Sequence, residues 1–146
     1  MKKIDKEEVA YLENIYRFVK MYQENIMLII KESKTEDDFL LFLLEILNEY
    51  KKICRNIKLM LKRRNKEVKD IGVISKITTM INVKTSKIDD INQIKEILKQ
   101  TCTMNIKELE KLEESYSLSN KKLLNVCEKM ISIEKRIVDK IGNNIM

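Results

Sequence analysis

The sequence predicts an all-α protein that folds as a single four-helix bundle over residues 1–146. The chain contains no proline and only two glycines, the residues on which strands and loops depend for their turns. Apolar residues recur every three or four positions through four long stretches, which places them on one face of a helix. A length of 146 residues suits one domain that buries its own core.

The first helix is predicted over residues 5–32. The segment SKTEDD follows it and interrupts the pattern, and Thr35 in this segment is expected to cap the second helix. Because the connection is so short, helices 1 and 2 are expected to pair as an antiparallel hairpin. The core stripe of helix 1 consists of two interleaved seven-residue series, Leu12, Val19 and Ile26 with Ile15, Tyr22 and Ile29.

The second helix is predicted over residues 36–66, and its first half is apolar on every side. Its core stripe contains Leu43, Tyr50 and Ile57. Six consecutive apolar residues cannot all point into one core, so the run is either an interface with another chain or is buried under another segment of the same chain. The six candidate interface residues are Phe39, Leu40, Leu41, Phe42, Leu43 and Leu44.

The end of the second helix is strongly basic, in a chain whose net charge is +6. Cations suit a helix C-terminus, where carbonyl groups are unpaired, so a solvated helix end is one interpretation. A patch that binds nucleic acid or another anionic surface is the alternative. The candidate residues for an anion-binding patch are Arg55, Lys58, Lys62, Arg63, Arg64 and Lys66.

The second half of the chain repeats the hairpin pattern. Helices 3 and 4 are predicted over residues 87–115 and 119–141. Ser117 or Ser119 is expected to cap helix 4 at its start. Gly142 is expected to supply the left-handed residue that often ends a helix.

A long segment joins the two predicted hairpins. Apolar residues with helical spacing predict a short helix over residues 73–82 within it. Gly72 is expected to end helix 2 or to turn the chain into this short helix. A connection of this length can cross the bundle from end to end, so helices 2 and 3 are expected to run parallel.

Three stretches of the chain carry a resemblance to a known group of proteins. They are YLENIYRFVKMYQENI (Tyr11–Ile26), DIGVISKITTMINVK (Asp70–Lys84) and QTCTMNIKELEKL (Gln100–Leu112). With the remaining helical pattern, they resemble ferritin-like four-helix proteins of low-GC, spore-forming bacteria over nearly the whole chain. The resemblance implies a ferritin-like bundle, with two antiparallel hairpins joined by a long crossover, and it points to oligomerisation. It implies no particular activity.

The sequence contains no histidine, which excludes several kinds of chemistry. Ser–His and Cys–His nucleophile pairs both need an imidazole. The di-iron sites of ferritin-like proteins use Glu-x-x-His pairs, so only a degenerate, carboxylate-only metal site stays open. Two glycines seventy residues apart cannot build a GxGxxG or P-loop motif. The sequence therefore predicts no catalytic residue and no cofactor.

One carboxylate lies in an unusual place, because Glu134 falls on the apolar stripe of helix 4. Counting residues from the two hairpin turns places it at the height of three hydroxyl-bearing residues of the other helices. This predicts a buried polar layer, whereas the alternative is a Glu134 that extends to the edge of the bundle. The predicted layer consists of Tyr22, Tyr50, Thr101 and Glu134.

The expected function is that of a non-catalytic bundle that assembles with itself or binds a protein partner. Binding of an anionic surface or nucleic acid and a degenerate metal site are the alternatives. No apolar run reaches the roughly 18 residues of a membrane span, and no apolar signal-peptide core follows the first lysines, so a cytoplasmic location is expected. The three cysteines, Cys54, Cys102 and Cys127, are expected to be buried free thiols.

Overall fold

The computed structural model describes residues 3–32, 37–68, 91–116 and 120–144. The all-α fold class predicted from the sequence is confirmed for these residues, which contain helices and no strand. The four helices are α1 Lys3–Glu32, α2 Asp37–Arg63, α3 Ile91–Ser115 and α4 Lys121–Asn144.

The helices form two antiparallel hairpins. In the first, the side chain of Arg64, just after the end of α2, pairs with that of Glu8 near the start of α1, with 3.0 Å between Nη2 and Oε1. In the second, the Cys127 thiol of α4 donates a 3.3 Å hydrogen bond to the backbone oxygen of Leu109 in α3. The closest packing in the structure lies within these two hairpins.

Contacts between the hairpins show that α2 and α3 run in the same direction. The Lys95 ammonium group near the start of α3 lies 4.8 Å from the ring centroid of Phe39 near the start of α2. The Asn14 amide in the first half of α1 donates a 2.7 Å hydrogen bond to the hydroxyl of Tyr116, which follows α3. The helix directions are therefore up, down, down and up. The short helix predicted over residues 73–82 and the role predicted for Gly72 lie outside the described residues.

The structure corrects the predicted end of the second helix, which is Arg63 rather than residue 66. Asn65 adopts a left-handed conformation with a φ of 60°. The N–H of Lys66 donates to the carbonyl of Leu61, and the N–H of Asn65 donates to that of Lys62, both at 3.0 Å. This is the Schellman motif, which ends a helix because N–H groups just beyond the helix donate hydrogen bonds to its last carbonyl groups.

The ends of α4 also differ from the prediction. Asn120 is the N-cap: its side-chain oxygen accepts a 3.0 Å hydrogen bond from the N–H of Lys122. The two serines predicted as caps lie outside the described residues. The prediction that Gly142 ends the helix is wrong, because α4 continues through it to Asn144 and the glycine has no positive φ.

The core lies between the two hairpins and is built from the apolar stripes of all four helices. The three cysteines are buried and free, which agrees with their expected role as small core residues. Representative side chains with at most 1% exposure are Leu12, Ile15, Ile26, Leu43, Ile57, Leu98, Leu109, Met130 and Ile137.

Candidate functional site

A carboxylate lies at the centre of the bundle. Glu134 on α4 is only 1% exposed, and a glutamate is almost never fully buried unless it has polar partners. Its Oε2 accepts a 2.7 Å hydrogen bond from the Tyr50 hydroxyl of α2. Its Oε1 accepts a 2.6 Å hydrogen bond from Nδ2 of Asn105 of α3. The side chain therefore does not extend to the edge of the bundle.

The register of the second hairpin explains which groups reach this carboxylate. Leu109 and Cys127 face each other across the antiparallel pair, so Glu134, seven residues further along α4, is level with Cys102 of α3. The Cys102 thiol accordingly hydrogen-bonds to Glu134. Asn105 follows Cys102 by three residues, less than one helical turn. Three helices thus contribute to the cluster around Glu134.

Within the cluster, Glu134 is the group whose pKa lies near neutral pH. Burial raises the pKa of Glu134 from 4.5 to about 7, because desolvation penalises the charged form. The hydrogen bonds from Asn105, Tyr50 and Cys102 act in the opposite direction, since each stabilises the carboxylate. Burial and the nearby carboxylate raise the pKa of Tyr50 and the pKa of Cys102 well above their ordinary values. The cluster can therefore hold or release one proton near neutral pH.

All four residues of the predicted polar layer are buried, and two of them, Tyr50 and Glu134, are hydrogen-bonded to each other. Tyr22, Tyr50, Thr101 and Glu134 are each at most 1% exposed. Tyr50 and Glu134 are hydrogen-bonded, and the Tyr22 ring packs edge-on against Tyr50 at 5.9 Å. The Tyr22 hydroxyl donates a long 3.4 Å hydrogen bond to the backbone oxygen of Asn105. The Thr101 hydroxyl donates at 2.8 Å to a carbonyl of its own helix.

Sequence reasoning did not include Asn105 and Cys102 in the layer. The available signal was spacing, because Asn105 follows Thr101 by four residues and so shares its face of α3. Asn105 is 1% exposed, and its Oδ1 accepts no hydrogen bond from any described residue. A buried oxygen that could accept a further hydrogen bond, Oδ1 of Asn105, is therefore part of the same side-chain amide that donates to the Glu134 carboxyl group.

The cluster is a hydrogen-bonded network in which protein donors occupy both oxygens of Glu134. Within the described ranges, no group of three or more cysteine, aspartate or glutamate side chains is arranged so that it could hold a metal ion.

The apolar run at the start of α2 is divided between core and surface. Phe39 and Leu43 are buried, and Leu40 and Phe42 are half-buried. The remaining two side chains, Leu41 and Leu44, are 59% and 44% exposed.

A third exposed apolar side chain, Met27 on α1, lies on the same side of the first hairpin. The Lys58 ammonium group lies 5.9 Å from the ring centroid of Tyr16, so these two residues mark one side of the hairpin. Met27 follows Tyr16 by about three helical turns, and Leu44 precedes Lys58 by about four. Because the helices are antiparallel, Met27 and Leu44 therefore lie on that same side, both displaced toward the end of the hairpin where α1 ends and α2 begins. Met27 is 47% exposed, and Leu41 neighbours Leu44 on the surface of α2 because it precedes it by three residues. We call Met27, Leu41 and Leu44 the apolar patch.

The basic residues predicted as an anion-binding patch do not all face the same space. Arg63 and Arg64 line a cleft of about 630 Å³ at the end of the bundle where α1 and α4 begin and α2 ends. Lys66 instead lines a separate cleft of about 260 Å³ beside Tyr16. Arg64 is half-buried, and the exposed members of the set are Arg55, Lys58, Lys62, Arg63 and Lys66.

Two further cations join the larger cleft from α4. Lys122 and Lys129 line it together with Arg63 and Arg64, and we call it the basic cleft. Sequence reasoning missed both lysines, because nothing in the spacing along the chain connects the start of α4 with the end of α2.

These features define a class of protein: an all-α four-helix bundle with a buried carboxylate network and a basic cleft at one end. The chain matches no protein-family model, and no curated protein or solved structure matches it. None of the helices in the described ranges has the length and apolar character needed to cross a membrane.

Proposed function

We propose that this protein is a non-catalytic, ferritin-like helical bundle that acts by associating with a second copy of itself through the apolar patch. The order of helix directions, up, down, down and up, supports the ferritin-like assignment, since such bundles contain one long crossover connection. Three buried free thiols suit a reducing compartment, which supports the cytoplasm as the location.

The buried carboxylate supports a structural role for the bundle centre. Glu134 is the one strongly perturbed acid in the described core, and perturbed acids are candidates for catalysis. Its 1% exposure and its bonds to Tyr50 and Asn105 separate it from any substrate in solution. A surface that binds another molecule therefore lies on the outside of the bundle.

The observation that carries the proposal is the exposure of three apolar side chains: Leu41 and Leu44, neighbours on the surface of α2, and Met27 of α1, on the Leu44 side of the first hairpin. An apolar surface is complementary to a copy of itself, which is the requirement of a two-fold symmetric interface. Exposed apolar side chains that group together mark association sites, whereas single ones are ordinary.

The test compares two matched substitutions on α2. Leu41→Asp places a charge in the apolar patch, whereas Leu59→Asp changes an equally exposed leucine, at 54% against 59%, about five helical turns away. Light scattering coupled to size exclusion at micromolar concentration should show an oligomer for the natural sequence and for Leu59→Asp, and a monomer for Leu41→Asp. A natural chain that is strictly monomeric, or equal dissociation of the two variants, would contradict the proposal.

A further inference from the structure

The basic cleft combines side chains from three helices in a concave site. It lies between the start of α1, the end of α2 and the start of α4, and its volume is about 630 Å³. This volume lies within the range of about 300–1,000 Å³ that is typical of small-molecule sites. α2 ends beside the cleft in the Schellman turn that follows Arg63. Arg63 and Arg64, at the end of the helix, therefore line the cleft.

The charge of the cleft is unbalanced. Four cations line it, Arg63, Arg64, Lys122 and Lys129, against one carboxylate, Glu8, among the described lining residues. Glu8 is bound by Arg64, whose Nε and Nη2 lie 3.1 and 3.0 Å from Oε1. One anion therefore offsets one of four cations, which leaves the lining with a formal charge of +3 (four minus one).

The salt bridge also fixes the position of one cation. Nη1 of Arg64 donates a 2.9 Å hydrogen bond to the backbone oxygen of Met60, in addition to the two contacts with Glu8. Its side chain is only 18% exposed. This guanidinium group is thus held in place as a positively charged wall, while the exposed side chains of Arg63, Lys122 and Lys129 can move to meet a ligand.

The lysines at the start of α4 lie where a positive charge lowers the stability of the helix. The N-terminal end of a helix carries a partial positive charge, so cations there are unfavourable and anions are favourable. α4 nevertheless begins with Lys121 and Lys122, has no acidic residue in its first turn, and is capped by the neutral side chain of Asn120. An anion in the cleft would remove this repulsion, because Asn120 and Lys122 both line the cleft.

The formal charge of +3 and the spacing of the cations match a ligand with more than one anionic group. Lys122 and Lys129 are seven residues apart on one helix, which is about 10 Å along its axis. A chain of phosphate groups matches both this separation and the formal charge of +3, whereas a single phosphate would leave part of that charge unbalanced. A nucleic-acid duplex has regular charges, yet it is too wide to enter a cleft of about 630 Å³.

We propose that the basic cleft binds a small phosphorylated molecule that carries at least two phosphate groups. Arg63, Lys122 and Lys129 contact the phosphate oxygens, and the fixed guanidinium of Arg64 adds positive potential behind them. The proposal is independent of self-association, since the cleft and the apolar patch lie at opposite ends of α2.

Isothermal titration of the full chain with inorganic tripolyphosphate at low ionic strength tests this. The test variant is Lys122→Gln/Lys129→Gln, and the matched control is Lys51→Gln/Lys52→Gln, which removes the same charge from exposed positions of α2 that do not line the cleft. Circular dichroism verifies that each variant is folded. We expect the test variant to bind at least about tenfold more weakly, and the control to stay within about twofold of the natural chain.

Three results would overturn the proposal. The first is that tripolyphosphate does not bind at low ionic strength. The second is an equal loss of affinity in the two variants, which would show attraction by net charge alone. The third is that a short DNA duplex binds more tightly than tripolyphosphate, with the same dependence on Lys122 and Lys129, which would assign the basic end to nucleic acid.

Discussion

The Tyr50 hydroxyl of α2 donates a 2.7 Å hydrogen bond to Oε2 of Glu134 of α4, and so joins the two hairpins at the centre of the bundle. Both residues are at most 1% exposed. A hydrogen bond to a charged partner is among the stronger ones in proteins, and burial leaves no water to replace it. This pair therefore links the packing of the bundle to the protonation of a single carboxyl group.

The first prediction is that the pH dependence of stability depends on Glu134. Its pKa is about 7 in the folded protein, against 4.5 without burial, so the folded state binds the proton more tightly than the unfolded state does. The resulting stabilisation is complete below about pH 4.5 and is lost as pH rises through about 7, which amounts to about 3 kcal/mol. Urea denaturation at several pH values should show this decline in the natural chain.

The variant Glu134→Gln is the control for this pH dependence, because glutamine is neutral at every pH. The Asn105 amide can turn over so that its unpartnered Oδ1 accepts from the new side-chain amide. We expect the variant to match the natural chain near pH 4 and to exceed its free energy of unfolding near pH 8. Parallel pH profiles would show that Glu134 does not titrate in this window.

The second prediction concerns the hydrogen bond from Tyr50. Tyr50→Phe removes a donor that stabilises the carboxylate, so the pKa of Glu134 should rise further above its value of about 7. The matched control is Tyr22→Phe, since the Tyr22 hydroxyl donates to the backbone oxygen of Asn105 and not to Glu134. Carbon-detected NMR titration of the glutamate carboxyls measures both values, and equal shifts in the two variants would contradict the assignment of this bond.

The third prediction concerns the end of α2. Asn65 has a φ of 60°, which costs a residue with a β-carbon more than it costs glycine. Asn65→Ala should lower the free energy of unfolding by about 1 kcal/mol, whereas Asn65→Gly should be neutral or slightly stabilising. Chemical denaturation compares them, and an alanine variant as stable as the glycine variant would show that the left-handed turn is not maintained in solution.

The fourth prediction compares two salt bridges between helices. Glu8 and Arg64 have side chains that are 10% and 18% exposed, whereas Glu49 and Arg136 are 38% and 46% exposed. Glu8→Gln should cost roughly 1–3 kcal/mol, because it leaves a largely buried guanidinium group without its counter-charge. Glu49→Gln should cost at most about 1 kcal/mol, despite its shorter 2.6 Å contact, since water replaces an exposed partner.

Salt provides the internal check on this comparison. The small effect of Glu49→Gln should vanish in high salt, because exposed pairs are screened, while that of Glu8→Gln should persist. If the two substitutions cost the same at both ionic strengths, burial does not distinguish these pairs.

The helix ends show where sequence reasoning about the fold was limited. The existence of the four helices follows from local periodicity, and all four are present in the described residues. The end of α2 depends instead on Asn65, since asparagine tolerates the left-handed conformation but does not require it. Gly142 shows the opposite case: glycine often ends a helix, but α4 continues through this glycine.

The candidate sites show a second limit. The position of Glu134 on an apolar stripe was visible in the sequence, and so was the cation cluster at the end of α2. Asn105 was not predicted as a partner of Glu134, although its spacing from Thr101 placed it on the right face of α3. Lys122 could not be predicted as a neighbour of Arg63, because spacing along one helix does not say which residues of another helix it meets.

The sequence by itself determined the all-α class, the two hairpins and the position of an acid on an apolar stripe, since these properties depend on spacing within a few turns of chain. Only the tertiary structure decided which polar groups meet Glu134 and which cations share the basic cleft. The physical reason is that contacts between helices depend on their direction and on their rotation about their own axes, which the packing of the whole core sets at once.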